Sequence, residues 1–317
     1  MSMKLYRNIL LALSLLILAA VIVLSNPAQI YSALAGSRAE FVLLALIITT
    51  FTAFARVFKW AFLLNARFLS LVTVQFLGTS VSILTPGRVA EPTKALLLKV
   101  RDGMPVSKSL PSIIWERVLD ISVLVIFAIS ALAVIASTRF FVLVYIGVAL
   151  FAVVIFLFLL ILYSERFGYA VFNRIILKLP LLKNLGRGFV KSFYSVRVRK
   201  GRITPAFLLA VIIWLFDGIA LYFVLLAFGV YITPFTAVGI VALSTMIGVA
   251  SSLPGGIGST EIVMIILLNA YGIQNPAAVT SVLIYRFVTL WYGLFLGFVS
   301  FVYLSKKINM EEIKLVK

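Results

Sequence analysis

Long apolar runs dominate the chain, and they end at charges and turn residues rather than alternating with them. They cover about residues 9–24, 40–66, 111–137, 139–163, 206–229 and 277–304. A hydrocarbon core of about 30 Å takes about 20 helical residues at 1.5 Å each, so these six runs predict six transmembrane helices. The first follows Lys4 and Arg7 and is broken only by Ser14. It reads as an uncleaved span rather than a signal peptide: it is long for a signal core, the rest of the chain is equally apolar, and Ala33-Leu34-Ala35 is a poor cleavage site.

Two further apolar stretches, 68–101 and 235–271, are interrupted midway by Pro86-Gly87-Arg88 and Pro254-Gly255-Gly256. The returning arms, Val89 to Arg101 and Ser259 to Tyr271, reach only about 20 Å each at helical rise, short of a full crossing. Each stretch therefore predicts a re-entrant helical hairpin. Its unwound tip must sit in protein or in a wet cavity, because bare backbone cannot face lipid. The breaks recur in order: Pro86-Gly87, Glu91, Gly103 and Arg117 in the first half match Pro254-Gly255, Glu261, Gly272 and Arg286 in the second. The spacing from Gly103 to Arg117 equals that from Gly272 to Arg286. The expected architecture is all-α and polytopic, one integral membrane domain over 1–317 with repeats at about 40–137 and 206–304. The two hairpins enter from opposite sides, as in inverted-repeat transporters.

Composition agrees. Apolar residues make up 63% and charged residues 12% of the 317, too little polar surface to coat a water-facing globule. A soluble enzyme is excluded. Cysteine and histidine are both absent, which removes disulfides, thiolate and imidazole metal ligands, and the commonest catalytic base. No metal, no cofactor and no catalytic residue are expected.

The net charge of +18 raises the question of nucleic acid, but its distribution points to a membrane surface. Ten of the 28 basic residues lie in 164–205 against Glu165 alone. This reads as a cytoplasmic loop facing anionic lipid. Within it Leu185, Phe189, Phe193 and Val196 recur at helical spacing while Lys183, Arg187 and Lys191 step by four, the pattern of an interfacial amphipathic helix. Assigned to the inside are 20 of the 28 basic residues; only Arg38 and Arg139 fall outside. Both termini are expected in the cytoplasm of a multi-pass cell-membrane protein. Homo-oligomerisation is left open.

The remaining charges lie inside apolar sequence: Arg56, Lys59, Arg88, Lys94, Arg117 and Arg286 with Glu91, Glu116, Asp120, Asp217 and Glu261. Such residues are costly in a bilayer and default to a functional reading. Lys59 is the weakest case, since a long stem reaches the interface by snorkelling. After each Pro-Gly break the returning helix starts near the midplane, so its unpaired N–H groups would point at the interior and suit an anion. Arg88, at the first tip, with Arg117 and Arg286 would bind a phosphate-sized group from both halves; Glu91, Lys94, Glu261 and Arg56 complete the expected substrate site. The alternative is that Glu91 and Glu261 satisfy the helix dipoles and the arginines merely pair with them. Glu116 and Asp120 share a helical face near the cytoplasmic end of their span. Asp217 has no basic neighbour in its own span, so either a distant cation pairs with it or it is protonated. These three acids are the proton-coupling candidates.

The runs LTPGRVAEPTKALLL, DGMPVSKSLPSIIWERVLD, SLPGGIGSTE and YGIQNPAAVTSVLIYRF resemble the transmembrane flippase region of lysylphosphatidylglycerol synthases, the multiple peptide resistance factors. The most specific parts are Pro86-Gly87-Arg88 with Glu91, Glu116-Arg117 with Asp120, Pro254 to Gly258 with Glu261, and Tyr285-Arg286. Ala90 and Ser252 depart from the glycine and proline expected there. The resemblance implies movement of a polar-headed lipid, a phospholipid or polyprenyl phosphate, between leaflets. The family's aminoacyl-transferring domain has no counterpart in these residues, so a stand-alone, non-enzymatic member is expected. A secondary transporter of a small anion and, further off, an integral-membrane transferase are the competing classes.

Overall fold

The computed structural model describes residues 36–135, 164–174 and 198–306, with single positions between 146 and 161 and at 194. The first apolar run, most of 139–163, the proposed interfacial helix and the C-terminal lysines beyond Lys306 lie outside the described residues. Within them the chain is all-helical. Helix α1 (Ala39–Leu64) is followed by α2 (Phe68–Ile83), a 3-10 turn (Pro86–Arg88), α3 (Thr93–Asp102) and α4 (Val106–Ile135). Then come α5 (Glu165–Arg174), in the basic loop, and α6 (Lys200–Ala227). The second half continues with α7 (Pro234–Ala250), a 3-10 turn (Pro254–Gly256), α8 (Ser259–Ala270), α9 (Asn275–Arg286), a π-turn (Phe287–Trp291) and α10 (Tyr292–Ser305).

Three segments are long and apolar enough to cross a bilayer: Ala39–Leu64, Gly201–Ala227 and Asn275–Ser305. Helix α4 is longer than any single helix among them at 30 residues, but its first half carries Glu116, Arg117 and Asp120. Outward faces confirm the solvent. On α1, Leu43, Ile47, Phe51, Phe54 and Phe58 form one exposed stripe, and Phe287, Trp291, Phe295, Phe298 and Val302 form another with identical spacing. Phe298 at 63% and Leu43 at 58% exposure would be a liability in water and are ordinary against lipid.

The arms of the broken segments are short. At 16, 10, 17 and 12 residues they reach about 24, 15, 26 and 18 Å, and none spans the apolar core. Each break is made by proline, which lacks an N–H and drives the preceding residue out of the helical region. Thr85 (φ −112°, ψ 144°) and Leu253 (φ −71°, ψ 140°) are accordingly extended.

Pairing between elements is reciprocal. Helices α1 and α6, which open the two halves, pack on each other along most of their length. The first hairpin's entering arm, α2, packs on α10, and the second's, α7, packs on α4. Each hairpin thus leans on the last helix of the other half, and the two tips touch. Ile83, Ile257 and Leu290 form a small apolar cluster between them.

Two features depart from expectation. The last span is not one regular helix. Thr289 Oγ1 donates to the Tyr285 carbonyl at 2.7 Å, a side-chain bond that competes with the backbone ladder, and the helix widens into a π-turn directly after Arg286. Also, α6 starts at Lys200 rather than near residue 206, with Pro205 inside it. Pro205 is the sixth residue of that helix, where it removes the backbone bond to the Gly201 carbonyl.

Candidate functional site

A partly open cavity of about 180 Å³ lies between the hairpin tips and the long helices. Its walls include Arg56 from α1, Gln75 and Thr79 from α2, Arg88 from the first tip, Arg117 from α4 and Arg286 from α9. The structure thus brings together four of the arginines expected from sequence. Glu91, Lys94 and Glu261 sit behind this wall, each holding a partner.

The acids and bases of the interior pair one to one. Arg56 Nη2 meets Asp217 Oδ2, Lys59 Nζ meets Asp120 Oδ1 and Arg117 Nη2 meets Glu91 Oε1. Lys94 Nζ lies 2.9 Å from Glu116 Oε2, and Arg286 Nε lies 2.6 Å from Glu261 Oε1. The Arg117–Glu91 and Arg286–Glu261 pairs are counterparts: in each half the acid near the hairpin tip is held by the arginine of the following helix. Arg56–Asp217 ties the two halves across the α1–α6 contact.

These pairs decide several open points. Asp217 is partnered by a distant cation, the first of the two possibilities left by the sequence. Taking up a proton at Asp217, Glu116 or Asp120 would first break an ion pair. Lys59 does not snorkel; it is fully buried because Asp120 receives its ammonium, and Trp214 Nε1 also donates to Asp120 at 3.3 Å. Its spacing of three from Arg56 put both on one helix face, a signal that apolar context obscured. Lys94 is also fully buried. Its stem fits because Gly78 has no side chain: a Cβ there would stand 2.5 Å from Lys94 Cγ.

The expectation of unpaired N–H groups needs correction at the first tip. In the first, the N–H groups of Arg88, Val89 and Glu91 bond to Thr85, Pro86 and Arg88 carbonyls, and that of Ala90 to Thr85 Oγ1. In the second, the Gly258 N–H donates to Glu261 Oε2 at 2.8 Å. Tight turns consume the donors of the first tip, whereas in the second the N–H groups of Ser259, Thr260 and Glu261, the first turn of α8, make no bond among the described residues, so open donors remain at that tip alone. Glu261 takes the dipole-satisfying role at the Gly258 N–H, and the same carboxylate also takes Arg286.

Arg286 is further engaged, its Nη2 donating to the Gly255 carbonyl at 2.7 Å. Arg88 differs. Among the described residues it has no ion pair, and its backbone is held in the left-handed region at φ 57°, a conformation that a non-glycine residue adopts at a cost of about 1–3 kcal/mol. Ser82 Oγ donating to its carbonyl at 3.1 Å helps to hold it there. Ser252, on the facing tip, is also left-handed at φ 56°, which no proline could match.

Sequence reasoning missed Gln75, Thr79, Trp214 and Tyr292 in the cavity wall, and it named Tyr285 only as the neighbour of Arg286 in a motif. Gln75 Oε1, Thr79 Oγ1 and Arg117 Nε have no hydrogen-bond partner, which is costly away from water. Gln75 and Thr79 stand four apart on α2, one turn of a single face; that spacing was the available signal. Every interior acid already faces a cation, and no group of three or more acids gathers as a metal site among the described residues.

Residues 11–297 match the family model described as the lysylphosphatidylglycerol synthase TM region. A UPF0104 membrane protein of Methanothermobacter thermautotrophicus is 30% identical over 90% of this chain and 90% of its own. A UPF0104 membrane protein of Pyrococcus horikoshii is 27% identical over 81% of this chain and 85% of its own. A phosphatidylglycerol lysyltransferase of Bacillus subtilis is 31% identical, but over 27% of this chain and 10% of its own length. With its broken helices, its buried charge pairs and a match over most of its length, the chain belongs to the family of the lysylphosphatidylglycerol synthase transmembrane region.

Proposed function

We propose that this protein moves a lipid with an anionic or polar head between the leaflets of the cell membrane, the head crossing through the arginine-lined cavity while the tails remain in the bilayer. The observation that carries the reading is the cavity itself. Guanidinium groups from α1, the first tip, α4 and α9 converge on one space within an otherwise apolar fold whose outer stripes face lipid. Guanidinium forks suit phosphate oxygens, and a low-dielectric wall strengthens the attraction.

The reciprocal packing of α2 on α10 and α7 on α4 supports two halves of opposite orientation, repeat 1 at about 40–137 and repeat 2 at about 206–304. Rocking of one half against the other would expose the cavity to each side in turn. The charge bias of the loops supports cytoplasmic termini, with the 164–205 loop on anionic lipid. No chemical step is assigned to the site, because its carboxylates are held by cations.

The test is reconstitution of the full chain into liposomes with a panel of head-labelled lipids, scored by loss of accessibility to an external quencher. Transfer above protein-free liposomes is the expected result. Uptake of inorganic phosphate or sulfate with no lipid transfer would replace this reading with that of a small-anion transporter.

A further inference from the structure

Interior charge does not sum to zero. Six cations and five acids lie within apolar sequence, and each acid is matched by its own cation. Arg88 is left over among the described residues. A guanidinium stays protonated in proteins, so this charge cannot be relieved by loss of a proton, and it borders a cavity rather than bulk water.

Resting on the lipid-transfer reading above, we propose that the cavity selects a head with one net negative charge, a phosphodiester monoanion, and that Arg88 is the residue that neutralises it. Excess charge in either direction is penalised. A phosphomonoester dianion brings a second charge for which no further unpaired cation remains among the described residues of the interior. A zwitterionic head brings an ammonium for which no unpaired carboxylate remains. Three polar atoms beside the cavity lack hydrogen-bond partners but are closed to it as the walls stand, and a shift of their side chains toward the ligand would let them define the rest of the head. Arg117 Nε can donate to a phosphate oxygen, while Gln75 Oε1, on a side chain only 2% exposed, and Thr79 Oγ1 can accept from a donor. A neutral hydroxyl beyond the phosphate supplies that donor without adding charge. Arg286 lines the same wall, but Glu261 and the Gly255 carbonyl already occupy it, so its contribution is to hold the second tip.

The purified full chain in nanodiscs tests this by displacement of a fluorescent phosphatidylglycerol. Competitors are unlabelled phosphatidylglycerol, phosphatidylcholine and phosphatidic acid, with dimethyl phosphate as the free head chemistry. Wild type is expected to prefer phosphatidylglycerol by about tenfold or more over both other lipids. R88Q should lose that preference through weaker phosphatidylglycerol binding at an unchanged melting temperature, and R88K should retain it. An equal ranking of the three lipids in wild type, or an R88Q variant that keeps the preference, overturns the proposal. Displacement by dimethyl phosphate as strong as by the lipid supports the charge rule and assigns it to a free anion. The same proteins are assayed for transfer in liposomes. Transfer without charge order sinks the charge rule and leaves the lipid-transfer reading standing, whereas charge-ordered binding without transfer does the reverse.

Discussion

The two hairpins share a backbone plan and differ in what they leave unsatisfied. Each has an extended residue before proline, then two left-handed positions: Gly87 at φ 57° and Arg88 at φ 57° in the first, Gly255 at φ 63° and Gly256 at φ 62° in the second. In the second, the tip is closed on itself. Glu261 caps its own helix and accepts from Arg286, which also holds the Gly255 carbonyl. No side chain fits at Gly256, since a Cβ would stand 2.5 Å from Thr260 Oγ1 and 3.1 Å from Gly248 Cα. In the first, the matching position carries an arginine with no ion pair among the described residues. Each tip carries one non-glycine left-handed residue, Arg88 in the first and Ser252 in the second, so the contrast lies in pairing rather than in strain, and it supports the proposal that Arg88 meets the ligand while the second hairpin is held rigid.

The strongest way to break this contrast is at the second tip. Glu261→Gln removes the charge that Arg286 faces in a buried setting, and loss of one partner from such a pair costs about 3–5 kcal/mol. A large drop in the melting temperature of the purified protein is expected, with total transfer reduced only in proportion to the folded fraction. If the variant melts like wild type while transfer disappears, the second hairpin is a binding element too.

Gly256→Ala places a Cβ against Thr260 and the Gly248 backbone at a positive φ, with an expected cost of about 2 kcal/mol. Denaturation in detergent would measure it. The converse change, Arg88→Gly, gives the first tip the second tip's sequence. It should stabilise by about 1 kcal/mol through relief of the left-handed strain, offset in part by the added freedom of the unfolded chain. Anionic-lipid binding should fall by about tenfold at the same time. A variant less stable than wild type would show that Arg88 holds the tip together.

The smallest effects are expected on α2. Thr79→Val keeps shape and removes an unpartnered hydroxyl, so stability should stay within about 0.5 kcal/mol. Lipid binding should weaken by about threefold, consistent with loss of one modest hydrogen bond. Unchanged binding would remove Thr79 from the ligand's surroundings and leave Arg88 and Arg117 as its polar wall.

How much of this was legible in advance follows the range of each interaction. The two hairpins were readable to within a residue or so, 68–101 against Phe68–Asp102 and 235–271 against Pro234–Ala270, because proline and glycine act on their own backbone and a shortage of apolar residues is a local count. The π-turn after Arg286 was not readable, since the hydroxyl bond of Thr289 to the Tyr285 carbonyl is matched by Thr49, Thr50 and Thr280 within regular helices, and nothing local in the sequence marks the difference. The same distinction applies to the charges. That eleven ionisable residues lie within apolar sequence, and that they must therefore turn inward, follows from the sequence by itself, because lipid penalises a charge wherever it is placed. Which acid meets which base was decided by tertiary structure alone. Arg56 finds Asp217 across 161 positions and Lys59 finds Asp120 across 61, and only the packing of α1 against α4 and α6 brings them together. The surplus of one cation could be counted along the chain, but its assignment to Arg88 required all five pairs to be in place, because a Coulombic partner is chosen by distance in space and not by separation in sequence.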